Sequence, residues 1–173
     1  MIFWHVGGTV LAFRYVFRDP NVDLRFLALG SILPDLLDKP IGTVLFAGTF
    51  ESGQIFGHTL LFASVLMVAV LVATRRGIWR RRLMALAVGS LFHLILDGMW
   101  AAKETLLWPA FGWRFPPGPD SYWTSLLDRL TSNPWIIVQE VLGLAYLVFL
   151  WQKARLGESG RRAELWRAGT LQV

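Results

Sequence analysis

The 173-residue chain contains no cysteine. Disulfide bonds, thiolate-bound metal sites and cysteine nucleophiles are therefore excluded. Charged residues are also scarce, at 17% of the chain, whereas hydrophobic residues make up 54%. Ordinary soluble domains have about 25% charged and roughly 45–50% apolar residues. Together with nine tryptophans, a residue that favours the bilayer interface, this composition indicates a protein exposed to lipid.

Several motifs of common enzymes and nucleic-acid-binding proteins are missing too. The sequence has no glycine-rich phosphate loop, no nucleophile elbow and no paired Cys/His fingers. The net charge of +5 comes from basic blocks, Arg75–Arg82 and the tail after Lys153, that flank long apolar runs. Membrane topology explains such blocks better than phosphate binding. A lipid bilayer is the expected partner, and no nucleic acid is expected.

Three long apolar segments predict helices in the membrane. They are Thr59–Thr74, Leu83–Ala102 and Pro134–Trp151, against about 20 residues needed to cross a bilayer. Pro134 fits a first helical turn, with Asn133 or Ser132 as the cap.

The first 57 residues are less regular. Ile2–Phe17 predicts a short helix, and a second should begin at Val22 and end before Pro34, because proline disfavours helix in the residue before it. Lys39–Gly57 is predicted to be a loop, re-entrant around Val44–Phe46.

The remaining long loop, Trp108–Asn133, is rich in proline and aromatic residues, and a short amphipathic helix is predicted at Ser121–Leu130. Basic segments stay on the cytoplasmic side of a membrane, so this loop and the N-terminus should lie outside. The sequence predicts an all-α, multi-pass bundle of about five helices. Residues 1–155 would form one membrane-embedded domain, and 156–173 a basic cytoplasmic tail.

Ionisable side chains in apolar segments are costly and point to function. Six of them fall in the outer half of the predicted bundle: His5, Asp35, Asp38, His58, His93 and Asp97. His93 and Asp97 are four residues apart, so their side chains share one helix face about 5–6 Å apart. Imidazole and carboxylate ligands without sulfur suit Zn²⁺, and also Mn²⁺ or Fe²⁺.

Structural roles for the same residues are the alternative. An isolated His-x-x-x-Asp pair on a helix is more often structural than ligating, and His58 or Asp35 alone could cap a helix. Asp38 could pair with Lys39 or Arg114. Glu140, within the third apolar segment, could be a lone neutral carboxyl or pair with a basic residue.

The order of the motifs resembles a known family. A histidine near the N-terminus precedes LGSILPDLLD, then GHTLLF, then LFHLILDGMW and LLWPAFGW. This series, over about residues 1–115, is similar to the YdjM/YbcI-type family of small inner-membrane proteins regarded as metal-dependent hydrolases. The resemblance implies an inner-membrane location and a divalent metal.

That family is in turn similar to the all-α fold of zinc-dependent phospholipase C and P1 nuclease. The likeness implies that Asp35, His58, His93 and Asp97 bind one zinc, and that His5 helps to hold a second, bridged by Asp97. No histidines are left for a third ion. The family pattern often has an arginine beside the histidine matched by His58, which this chain lacks, so its contacts with a substrate phosphate are expected to differ.

The leading prediction is a membrane-bound metal-dependent hydrolase with one or two ions. It would cleave a phosphoester, with a lipid as the expected source, by a metal-activated water. Asp38 would be the general base or a residue that orients a ligand, and Lys103, Arg114 or Trp100 would meet the substrate. The alternatives are a non-catalytic, metal-stabilised membrane scaffold or regulator, and an ion or proton carrier.

Overall fold

The computed structural model describes residues 1–19, 21–118 and 133–171. These residues form helices and no strands, which confirms the predicted all-α class. Eight α-helices occur in them, five of which have 14 or more residues. The helices are α1 Ile2–Val16, α2 Leu24–Pro40, α3 Ala47–Phe50, α4 Leu60–Ala73, α5 Ile78–Leu96, α6 Lys103–Leu106, α7 Pro134–Lys153 and α8 Ser159–Ala168.

Helix α2 does not end before Pro34, so that prediction is wrong. The Asp23 side chain caps its start, and the helix continues through Pro34 to Pro40. A proline inside a helix removes one backbone hydrogen bond and costs about 3 kcal/mol. The close packing of α2 against α5 offsets this local preference. The longer helix carries Asp35 and Asp38, which the predicted boundary had left beyond its end.

Most of the segment predicted as a loop after Lys39 is also helical. A π-helical turn covers Ile41–Leu45 and α3 covers Ala47–Phe50, and the chain then runs irregularly to Phe56. Val44 and Leu45, at the end of the π-helical turn, and Phe46, between the two short helices, are exposed. The glycines suggested a loop, but helical hydrogen bonds continue through Gly42 and Gly48.

The apolar segments correspond to helices with shifted ends. Thr59 caps α4 by accepting a hydrogen bond from the Phe62 N–H at 2.9 Å. Helix α5 begins five residues before the predicted start and ends at Leu96 rather than Ala102. Gly98 terminates it, because this residue has a left-handed backbone (φ +67°) that glycine adopts without strain.

Helix α7 begins as predicted, with Pro134 in its first turn and the Asn133 side chain accepting from the Trp135 N–H at 3.1 Å. Among the described residues it is the one helix long and apolar enough to cross a membrane, while Leu60–Ala73 is apolar but shorter. Helix α5 carries the basic residues Arg80–Arg82 in its first turns. The multi-pass topology and its orientation therefore stay predictions. The helix expected at Ser121–Leu130 lies outside the described residues.

Helices α2 and α5 form the centre of the bundle, with α1 packed on both and α7 packed along α1. Glycines bring the backbones close at two of these contacts. A Cβ on Gly30 would overlap with the Leu86 backbone, and one on Gly7 would overlap with the backbone of Gly143. Small residues allow helices to approach in this way where lipid supplies no driving force for association.

The predicted tail contains helix α8, which contacts the start of α2. The Leu24 N–H donates to the Gly169 carbonyl at 2.7 Å, and the Arg25 guanidinium donates to the Trp166 carbonyl. The buried Asp23 carboxylate accepts from Arg25 at 2.7 Å and from Arg82 at 2.9 Å. Burial alone would raise the pKa of Asp23, but the hydrogen bonds from Arg25 and Arg82 outweigh it and lower that pKa below its usual value.

Candidate metal centre

The predicted ligands come from four separate segments and meet at one end of the bundle. His5 lies at the end of the first turn of α1, Asp35 lies on α2, and His58 directly precedes the Thr59 cap of α4. His93 is in the last turn of α5, and Asp97 follows where that helix ends. All three histidines are buried, and the two aspartates are partly exposed. The structure thus brings together residues up to 92 positions apart in the chain.

Four donor atoms form a compact group. His93 Nε2 lies 3.2 Å from His58 Nε2, 3.8 Å from Asp35 Oδ1 and 3.6 Å from Asp97 Oδ2. His58 Nε2 lies 3.5 Å from Asp35 Oδ1 and 3.6 Å from Asp97 Oδ2. Zinc bonds of about 2.0–2.2 Å in a regular tetrahedron require donor atoms about 3.3–3.6 Å apart. These five distances, from 3.2 to 3.8 Å, are close to that spacing.

The hydrogen bonds of the histidines show which ring nitrogen is free to bind. His93 Nδ1 is 2.7 Å from the Ser31 carbonyl oxygen, and His5 Nδ1 contacts the Met1 carbonyl oxygen. A carbonyl can only accept, so Nδ1 is the donor in both rings, which leaves Nε2 as the nitrogen available to a cation. His58 Nδ1 donates to Asp38 Oδ2 at 2.7 Å, with the same result.

This protonation pattern fits a cation. The Nε2 atoms of His58 and His93 lie 3.2 Å apart, and the carboxylates of Asp35 and Asp97 lie within 3.8 Å of both. Four electron-rich atoms at such distances repel one another, and a divalent ion among them would turn that repulsion into attraction. Neutral imidazoles whose second nitrogen is held by a carbonyl or carboxylate are typical of metal ligands.

Asp38 is buried and accepts hydrogen bonds from the segment that contains His58. Its carboxylate receives the backbone N–H groups of Ile55 at 2.8 Å, Gly57 at 2.8 Å and His58 at 3.1 Å, as well as the His58 ring. A Cβ on Gly57 would lie 2.9 Å from Asp38 Oδ1 and 3.0 Å from the Pro34 Cα. Glycine at this position therefore permits the close approach that these bonds need.

A second group of ligand atoms adjoins the first and shares two of its residues. His5, His93 and Asp97 each offer an atom within 4.8 Å of the others. His5 Nε2 lies 2.9 Å from Asp97 Oδ1, and the His5 and His93 rings are 4.2 Å apart. His5 Nε2 is fully buried and, within the described residues, makes no hydrogen bond of acceptable angle. Asp97 therefore directs one oxygen to each group.

A cavity of about 650 Å³ opens beside the two carboxylates. Asp35 and Asp97 line it, but none of the three histidines does. Lys39 and Lys103 add positive charge to the lining, and Gln54 lines it while donating to Asp97 Oδ2 at 3.3 Å. A molecule in the cavity would therefore meet the two aspartates of the centre and not its histidines.

The remaining candidates have other partners. Lys39 pairs with Asp35 at 2.5 Å, and the two are four residues apart on α2, a spacing visible in the sequence. Arg114 is exposed, whereas the Asp38 carboxylate bonds to the His58 ring. Glu140 accepts backbone hydrogen bonds from α1. Gln54 and the Ser31 carbonyl were not predicted, because nothing in their local sequence indicates a distant partner.

The comparisons with known proteins identify a family. Comparisons with curated proteins and with solved structures gave no match, so the likeness to zinc-dependent phospholipase C and P1 nuclease stays a prediction. Residues 2–156 match the family described as YdjM inner membrane protein. That range includes every residue of the candidate centre and helices α1 to α7. The chain therefore belongs to the YdjM inner membrane protein family, and its expected location in the inner membrane agrees with it.

Proposed function

We propose that this protein is a membrane-bound, metal-dependent hydrolase that cleaves a phosphoester. One observation carries the proposal: the donor atoms of Asp35, His58, His93 and Asp97 meet beside a cavity of about 650 Å³, which the two carboxylates line. A catalytic metal site keeps a side open to substrate, whereas a structural site is closed.

In this proposal the four-atom group holds one divalent ion, and His5 with Asp97 contributes to a second. The donor set of nitrogen and oxygen atoms without sulfur suits Zn²⁺ first, and Mn²⁺ or Fe²⁺ next. Such an ion lowers the pKa of a bound water to about 7 and polarises a phosphoryl oxygen. The chain's own contribution is to orient the imidazoles and to exclude water from their side of the centre.

Asp38 was predicted as either a general base or an orienting residue, and we propose the second role. Its carboxylate is buried, does not line the cavity and is occupied by four donors from Ile55, Gly57 and His58. In this role it holds the His58 ring in one orientation and one tautomer, so that Nε2 faces the ion.

The cavity lining supports a phosphoester as substrate. Lys39, which also pairs with Asp35, and Lys103 supply cations suited to a phosphate, beside the carboxylates of Asp35, Asp97 and Glu104. Large apolar side chains are exposed directly beside lining residues in three segments: Ile2, Trp100 and Trp135. Tryptophan is enriched where a protein meets the membrane–water interface. We therefore propose a lipid phosphoester, whose headgroup would enter the cavity while its chains stay in the bilayer.

A metal-stabilised scaffold remains the rival function. It predicts the same ligands without access to substrate, and the cavity beside Asp35 and Asp97 favours the hydrolase over it.

The test compares wild type, His93→Ala and Asp97→Ala, purified in detergent, with Asp19→Ala as a control at an exposed carboxylate away from the centre. Metal content is measured by mass spectrometry. Hydrolysis is measured on a soluble chromogenic phosphodiester and on phospholipid vesicles. We expect both variants to lose metal and activity while the control keeps them. Unchanged metal content in either variant would refute the centre, and metal without hydrolysis of either substrate would favour the scaffold.

A further inference from the structure

Glu140, the only charged residue in the interior of α7, binds the backbone of another helix. Its Oε2 accepts from the Phe3 N–H and its Oε1 from the Trp4 N–H, both at 3.2 Å. The sequence suggested a lone neutral carboxyl or a partner with a basic side chain. Neither describes the contact, because both carboxylate oxygens are directed to the first turn of α1.

This contact supplies hydrogen-bond acceptors for backbone N–H groups at the start of α1. The first N–H groups of a helix have no partner within it, and Met1 provides no side-chain cap. A carboxylate near a helix N-terminus satisfies these donors and interacts favourably with the helix dipole. In apolar surroundings an unpaired N–H is costly. Glu140 therefore serves as the cap of α1, delivered from α7 across a sequence separation of more than 130 residues.

A second contact between the same helices fixes α1 further. Gly143, one turn after Glu140, lies so close to α1 that a Cβ on it would overlap with the Phe3 backbone, and a Cβ on Gly7 would overlap with the Gly143 backbone. The carboxylate determines where α1 begins, and the glycine contact determines which face of α1 meets α7. His5 lies between the two contact points, and its position along the bundle follows from them.

His5 is in turn the residue of α1 that reaches the candidate metal centre. It directly follows Trp4, whose N–H Glu140 accepts, and its ring bonds to the Met1 carbonyl in the same turn. Its Nε2 lies 2.9 Å from Asp97 Oδ1. Helix α7 packs on α1, and Glu140 does not line the cavity, so Glu140 acts on the centre through α1.

We infer that Glu140 is a positioning residue that holds His5 against Asp97 by capping α1 from α7. The inference rests on the proposed metal centre for its effect on ion binding, but the placement of α1 can be measured without any metal.

The first experiment is a double-mutant cycle in metal affinity. Zinc binding is titrated in wild type, Glu140→Ala, His5→Ala and the double variant, with Gln139→Ala as the neighbouring control on α7. We expect Glu140→Ala to weaken the ion that involves His5 about 10–100-fold, the range for residues that orient a ligand. In the His5→Ala background the same change should have almost no further effect. Glu140→Gln, which keeps one acceptor oxygen, should lie between wild type and Glu140→Ala.

Equal weakening by Glu140→Ala with and without His5 would overturn the inference, because it would indicate general loss of packing. So would an unchanged affinity in Glu140→Ala. Thermal unfolding of each variant identifies any that fails to fold.

The second experiment needs no ion. Because the chain has no cysteine, spin labels at Ile2→Cys and Ile95→Cys, both exposed, report the distance from α1 to α5. We expect a narrow distance distribution with Glu140 and a broader or shifted one with Glu140→Ala. An unchanged distribution would overturn the inference even if the centre binds metal. A changed distribution in a protein that binds no metal would support the positioning of α1 and refute the proposed function.

Discussion

The Asp38 carboxylate accepts two hydrogen bonds from His58: Oδ2 accepts from the His58 ring at 2.7 Å and from the His58 backbone N–H at 3.1 Å. The first bond sets the rotation of the ring and the second sets the position of the chain that carries it. Because His58 lies outside any long helix, Asp38 replaces the rigidity that a helix gives to His93.

Asp38→Asn should weaken metal binding without removing a ligand. An amide offers one acceptor oxygen in place of two, and its NH₂ group would face backbone N–H donors. We expect affinity to fall about 10–100-fold, as for other residues that orient a ligand, measured by titration against a metal-sensitive dye. Glu51→Gln, an exposed acid-to-amide change in the adjoining loop, is the matched control. Wild-type affinity in Asp38→Asn would contradict the positioning role.

Gly57→Ala should destabilise the centre, because its Cβ would lie 2.9 Å from Asp38 Oδ1 and 3.0 Å from the Pro34 Cα. The Asp38 carboxylate is held by four hydrogen bonds and the Pro34 Cα is backbone, so we expect a cost of about 1–3 kcal/mol, as for overpacking in a core. Gly48→Ala adds the same methyl group where nothing lies within 4 Å. Thermal unfolding of both variants measures the difference, and equal midpoints would show that the loop adjusts.

Removal of divalent ions should lower the thermal stability of the wild type. An ion that binds only the folded state at 100 times its dissociation constant stabilises by about 2.7 kcal/mol. Chelator should therefore lower the unfolding midpoint of the wild type but leave that of His58→Ala nearly unchanged. Unfolding monitored by tryptophan fluorescence, with and without chelator, tests this. An equal shift in both proteins would mean that the stabilising ion binds elsewhere.

Asp23→Asn should change the response of stability to acid. The folded-state pKa of Asp23 is lowered, so its contribution is complete above the unfolded-state pKa of about 3.9 and is lost as pH falls from there toward the folded-state value. The variant should be less stable than wild type near neutral pH, and the difference should shrink below about pH 4. Asp19→Asn, at an exposed position, is the control. A stability difference that grows on acidification would contradict a lowered folded-state pKa for Asp23.

The sequence predicted the parts of the centre that depend on local geometry. His93 and Asp97 are one helical turn apart, and the turn persists although α5 ends between them, because the Asp97 N–H still bonds to the His93 carbonyl at 2.9 Å. The Asn133 cap of α7 could also be predicted, because Pro134 directly after it indicates the first turn of a helix.

Features that depend on distant contacts could not be predicted. Pro34 indicated a helix end, but packing on α5 outweighs that local preference. Gln54 acquires a role only when the loop after α3 reaches Asp97, and the Ser31 carbonyl acquires one only when α2 packs on α5. The partner of Glu140 is a pair of backbone N–H groups, which no side-chain pattern can reveal.

The glycine contacts between helices limit how this site can be engineered. At Gly7–Gly143 and Gly30–Leu86 the backbones already touch, so the helices cannot move closer whatever side chains are introduced nearby. Any substitution at these positions can only push them apart. The spacing of the histidines is thus adjustable in one direction: a larger ion could be accommodated by widening the bundle, whereas no change of side chain would contract it around a smaller one.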